Sequence, residues 1–135
     1  MPKKATYYQA EYYSKFKQVG LVKKWLLQKL IDSRQPVLWY LTHKFSHGAT
    51  LLDYGCGNGG FIAQADGYFK CIGIDFSKQA IEVAKKKNSR SKFLVGDLKR
   101  LKRMKSASMD VLVCFDVLEH VADQTDYLHE FWLLS

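Results

Sequence analysis

From Val19 to Ile31 the apolar residues fall at Leu21, Val22, Trp25, Leu26, Leu30 and Ile31, with Lys23, Lys24 and Lys29 between them. That spacing predicts a helix with one buried stripe and one basic face. Pro36 suits the first turn of a second helix, where the N–H it lacks has no partner to lose. Val37, Leu38, Leu41 and Phe45 supply the apolar side of that helix, and Ser46-His47-Gly48 ends it. After Gly48 the rhythm changes. Thr50–Tyr54, Lys70–Asp75, Lys92–Val95 and Asp110–Phe115 are short apolar runs, each largely uninterrupted, as expected of strands buried on both faces of a parallel sheet. Gly60–Ala65 and Lys78–Lys87 lie between strands. The second places Ala80, Ile81, Val83 and Ala84 at helical spacing under a lysine face, with Ser77 as its N-cap. Alternating strands and helices predict right-handed βαβ units. A last stripe, Tyr127, Leu128, Phe131, Trp132 and Leu133, reads as a helix running up to Ser135. Asp110–Phe115 is then expected at a sheet edge, apolar and uncovered, where it would favour self-association. The chain is expected to be a fragment of a longer domain.

Composition narrows the class. A chain of 135 residues that is 47% hydrophobic is long and apolar enough for one domain with a modest core. No run approaches the roughly 20 apolar residues that span a bilayer, and the start, Met1-Pro2-Lys3-Lys4, lacks a secretory core. A cytoplasmic protein is expected. Cys56, Cys71 and Cys114 are odd in number, widely spaced and without a C-x-x-C pair, which reads as reduced thiols, with no disulfide frame or zinc site. The net charge of +8 is uneven: residues 1–50 hold nine lysines and arginines against Glu11 and Asp32, while residues 51–135 are nearly balanced. Basic residues 3–44 are read first as a solvated face, with nucleic acid as the rarer partner.

The candidate chemistry sits in LLDYGCGNGG, Leu51 to Gly60. A strand, a glycine turn and a helix make a corner for anions and nucleosides. Gly55, Gly57 and Gly60 fit G-x-G-x-x-G, whereas Asp53 with Gly55, Gly57 and Gly59 fits D-x-G-x-G-x-G. Asp53, expected at the mouth of the site, favours an ammonium over a pyrophosphate. At about 5 Å and an effective dielectric of about 20 the pairwise energy is roughly 3 kcal/mol before screening. Asp75 ends the next strand, twenty residues after Gly55, where a carboxylate can accept both ribose hydroxyls. Gly96-Asp97-Leu98 puts another acid at the same sheet edge, placed to accept from an adenine amino group with Leu98 against the ring.

DYGCGNG, GIDFS, VGD and MDVLVCFDVLEHV, in this order, resemble the class I S-adenosylmethionine-dependent methyltransferases, especially the branch that methylates small molecules. The resemblance runs from about Thr50 to Val121. It implies a Rossmann-like α/β fold, a parallel sheet with helices on both faces, here incomplete at four strands and preceded by N-terminal helices. Residues 1–48 would be a helical lid or cap segment, and 49–135 the cofactor-binding half. S-adenosylmethionine is the implied cofactor and a small molecule the implied acceptor. Asp53, Gly55, Gly57 and Gly59 would cradle the methionine part, Asp75 would hold the ribose, Phe76 would lie by the adenine, and Asp97 with Leu98 would bind the adenine edge. Asp116 would lie near the reacting methyl, and Tyr7, Tyr8, Tyr12 and Tyr13 would contribute to a lid. The chain departs from the family in lacking three further strands, and in its basic run Lys99–Lys105.

Methyl transfer from a sulfonium is an in-line displacement that asks mainly for alignment and exclusion of water. A base is needed only when the acceptor must lose a proton, and His120 is the candidate. Asp116, Glu119 and His120 could alternatively hold a divalent metal, or Glu119 and His120 could simply open a helix in solvent. Two rival readings stand at this point. One is an NAD-dependent oxidoreductase using the same glycines; the other is a truncated, non-catalytic domain with a basic nucleic-acid-binding front.

Overall fold

The computed structural model describes residues 34–135. The helix expected over Val19–Ile31, the four lid tyrosines and most of the basic front lie outside the described residues. By internal contact the chain divides into Met1–Pro36 and Val37–Ser135. The helix α1, Gln35–Lys44, was assigned by sequence to the N-terminal segment. Its Leu41, with Leu38 beside it, packs on the sheet.

Four strands follow, β1 Thr50–Tyr54, β2 Lys70–Asp75, β3 Lys92–Val95 and β4 Val111–Cys114, all parallel and ordered β3-β2-β1-β4. Between them run α2 Gly60–Ala65, α3 Lys78–Lys87 and a short α4, Leu98–Leu101. A 3-10 turn at Leu118–His120 leads to α5, Gln124–Leu134. This is the Rossmann-like arrangement. Ser77 caps α3 as expected, its hydroxyl accepting from the Ala80 N–H at 3.2 Å. The helix α4 was missed by sequence.

Alternation along the strands splits the core in two. Leu51, Cys71, Phe93, Val111 and Val113 face one side, covered by Leu41 of α1, Phe61, Ile62 and Ala65 of α2, and Ile81 and Ala84 of α3. Leu52, Tyr54, Ile74 and their neighbours face the other, under Leu98 and Leu101 of α4 and Tyr127, Phe131 and Leu134 of α5. β4 is an edge strand, as read, but its faces are covered: Leu112 and Cys114 pack in the second cluster, Val111 and Val113 in the first. The α5 stripe is narrower than expected. Leu128 and Trp132 are exposed, and the buried line is Tyr127, Phe131, Leu134.

Candidate functional site

In a parallel sheet every strand delivers its following loop to one rim. The glycine turn after β1, Asp75 and Phe76 after β2, Gly96–Leu98 after β3 and Asp116 after β4 therefore share the carboxyl-end rim. β2 and β3 lie on one side of β1 and β4 on the other, so the turn after β1 stands where the winding reverses, the usual ligand crevice of such sheets.

The turn is clamped to β2. The N–H groups of Gly55 and Cys56 both donate to the Ile74 carbonyl, at 2.7 and 3.1 Å. Gly55, Gly57 and Gly59 have φ of 79°, 53° and 78°. The left-handed glycines are those of D-x-G-x-G-x-G, while Gly60 opens α2. Two of them differ in kind. A Cβ on Gly59 would come within 3.1 Å of Ala84 Cβ and 3.2 Å of the Phe93 ring, so its bareness lets α2 start against α3 and β3. A Cβ on Gly57 would meet nothing within 4 Å: open space lies over that backbone.

Asp75 joins three strand ends. Its Oδ2 accepts from the Gly57 N–H at 2.9 Å, its Oδ1 from the Ser77 N–H at 2.8 Å, and its carbonyl from the Gly96 N–H at 2.9 Å. Burial raises its pKa, and the bonds from Ser77 and Gly57 partly oppose the rise. Phe76 beside it is exposed.

Asp53 corrects an expectation. It is 2% exposed, set inside the sheet and not at an open mouth. It lies in register with Gly73 and Val113, on the face it shares with Leu51. Burial pushes the Cys71 thiol up to about 12, with the charges of Asp66 and then Asp53 adding to it, and pushes the Cys114 thiol up to about 11, with Asp53 the largest of the charges that add to it. The thiols are reduced and free, Cys56 and Cys71 buried and Cys114 half-buried.

Asp97 is exposed and caps α4, its Oδ1 accepting from the Lys99 N–H at 3.0 Å, while Leu98 turns into the second cluster. Asp116 has φ of 55°, a left-handed value that is uncommon for a residue with a Cβ. His120 is largely exposed, 3.9 Å from the Glu119 carboxylate. Asp116, Glu119 and His120 do not converge: among the described residues no three His, Cys, Asp or Glu side chains are grouped as metal ligands. Two neighbours of the site escaped the sequence reading. Val117 packs where a Gly55 side chain would be, and Tyr54 is held by its ring contacts to Tyr127 and Phe131. Val117 directly follows the left-handed Asp116, and nothing in the sequence around it marks the contact with the glycine turn.

Comparison with known proteins agrees with this geometry. The fold matches a magnesium protoporphyrin IX methyltransferase from Synechocystis with a TM-score of 0.74 at 20% identity, over 95% of this chain and 68% of that one. A mitochondrial ubiquinone biosynthesis O-methyltransferase of Schizosaccharomyces pombe is 36% identical over 88 residues, covering 60% of this chain and 32% of that protein. A protein of Mycolicibacterium smegmatis named as a probable S-adenosylmethionine-dependent methyltransferase is 33% identical over 91 residues, covering 67% of this chain and 35% of its own length. The chain thus spans about a third of the length of these two relatives. The methyltransferase-domain family matches residues 52–133, which include the glycine turn, Asp75, Asp97 and Asp116, and the chain belongs to that family.

Proposed function

We propose that the chain binds S-adenosylmethionine at the carboxyl-end rim and is the cofactor-holding part of an enzyme that methylates a small molecule. The observation that carries this reading is the Asp75 carboxylate, buried at the end of β2 and bonded to the glycine turn. Each of its oxygens accepts one backbone N–H and keeps acceptor capacity for a ribose hydroxyl.

The residues present fit the cofactor. The space above Gly57 admits an amino-acid moiety against bare backbone, where a side chain would fill the cradle. Gly55, Gly57 and Gly59 would hold the methionine part with Asp53 beneath as a buried negative charge, so the ammonium preference rests on Asp53's field more than on contact. Phe76 would lie by the adenine, Asp97 with the neighbouring Leu98 would meet its edge, and Asp116 would stand near the methionine end. The bound sulfonium supplies a methyl group already activated for displacement. His120 is the proposed base for an acceptor that must lose a proton; with its ring in solvent, that role requires the acceptor to shield it. The small-molecule acceptor is supported by the fission-yeast relative, named for O-methylation in ubiquinone biosynthesis.

Calorimetry with S-adenosylhomocysteine tests the reading. Saturable binding is expected, with none for NAD, and Asp75→Ala should weaken it by about 2 kcal/mol, the loss of charge-assisted hydrogen bonds. An unbound S-adenosylhomocysteine, or an Asp75→Ala variant of unchanged affinity, would overturn it.

A further inference from the structure

The basic run Lys99–Lys105 has no part in the site above. Leu98, Leu101 and Met104 recur every third residue and all pack in the second core cluster. Lys99, Arg100, Lys102, Arg103 and Lys105 are thereby turned outward, and among the described residues none of the five forms an ion pair. A surface cavity of about 220 Å³ opens beside them, lined by Val95, Gly96, Asp97, Lys99, Arg100 and Arg103. Three cations thus face one carboxylate, and Asp97 already spends one oxygen on the Lys99 N–H. Arg100 is positioned and not merely solvated. Its guanidinium donates to the Val95 carbonyl at 3.4 Å, and its stem crosses Gly96, where an added Cβ would come 2.5 Å from Arg100 Cβ.

We propose that this cavity is a binding site for a phosphate-class oxyanion, free or carried on a larger ligand, held by Lys99, Arg100 and Arg103. Guanidinium forks match tetrahedral oxyanions in pairs of hydrogen bonds, and a partly fixed arginine loses less freedom on binding. The cavity accommodates such an ion together with several waters. It lies at the β3 edge, whereas Asp116 follows β4 at the opposite edge, three strand spacings or about 14 Å away. An anion here is therefore a second ligand or a remote handle, not the group being methylated. The cavity shares Asp97 with the proposed adenine edge, but the anion is assigned to Lys99, Arg100 and Arg103, and the inference does not depend on the methyl-transfer reading.

Amide spectra of the whole chain, titrated at constant ionic strength with inorganic phosphate and separately with glycerol phosphate, test it. Saturable shifts confined to Gly96–Arg103 are expected, the tighter of the two probes showing whether the free ion or a carried phosphate is preferred. Arg100→Gln with Arg103→Gln should weaken binding at least about tenfold, and Arg103→Gln alone, an exposed change that spares the fold, about threefold. Lys85→Gln with Lys86→Gln removes the same charge from α3 and should leave binding intact. Unsaturable shifts, shifts shared with the α3 lysines, or equal losses in the two double variants would overturn the site and leave only ionic screening.

Discussion

Asp75 carries an energetic conflict that sets the first expectation. Its folded pKa is raised, chiefly by burial, so its contribution to stability is fully present below the ordinary aspartate value and is lost as pH rises through the raised one. At neutral pH the ionised group therefore costs stability, and ligand hydroxyls that donate to it recover part of that cost. Affinity for S-adenosylhomocysteine should accordingly fall as pH is lowered from neutrality through the raised value, while Asp75→Asn binds weakly with no such slope; calorimetry over a pH series from neutral downwards checks both. The glycines separate stability from binding. Gly59→Ala forces a side chain into a left-handed position and against Ala84 and Phe93, at about 2–4 kcal/mol of stability. Gly57→Ala meets no neighbour and should cost only about 1–2 kcal/mol, yet it occupies the cradle and should abolish cofactor binding. Denaturant titration beside calorimetry distinguishes the two variants, and equal stability losses would remove the close approach at Gly59.

The strands were legible because a buried parallel strand needs side chains that are apolar on both faces, and Thr50–Tyr54 and Lys70–Asp75 have the predicted bounds. What failed had weaker causes in the sequence. The helix α4 is four residues long, with Leu98 and Leu101 its only periodic signal among cations. The depth of Asp53 depends on which neighbours close over it, which spacing from the glycines does not encode. Asp110, expected as the first residue of β4, instead precedes it as a clamp: Oδ2 accepts from both the Thr50 N–H and hydroxyl at 2.7 Å, tying β4 to β1. Those bonds hold its pKa below the usual carboxylate range. The stability they add is present above the unfolded pKa and lost as pH falls through the lowered one. Asp110→Asn should therefore melt at a lower temperature at neutral pH, with the gap closing towards about pH 3. A gap independent of pH would mean the carboxylate's charge is not what the clamp uses.

Taken whole, the unit Val37–Ser135 has one sheet face covered by three helices and the other by α4 and α5, so the second face relies heavily on α5. Three bonds join the C-terminal turn of α5 to the segment entering β4: the N–H of Ala107 donates to the Leu133 carbonyl, and those of Ser108 and Met109 to that of Leu134. Tyr127 packs tilted and Phe131 edge-on against Tyr54, whose hydroxyl is pushed above the ordinary tyrosine range by burial and then by its hydrogen bond with Tyr127. Tyr54 immediately precedes Gly55, so the seat of α5 also supports the base of the glycine turn. Leu134 is 2% exposed and Trp132 is 73% exposed on the same helix. Leu134→Ala leaves a cavity at the bottom of that seat and should cost about 2–5 kcal/mol, with a weaker grip on S-adenosylhomocysteine as Tyr54 loosens. Trp132→Ser, although it removes the larger apolar side chain, should change stability by no more than about 0.5 kcal/mol. Hydrophobicity along α5 alone predicts the reverse ranking, because Trp132 and Leu128 form a second, equally apolar stripe. Denaturation midpoints of the two variants therefore decide which stripe docks, and a larger loss at Trp132 would place the buried face of α5 on its other side.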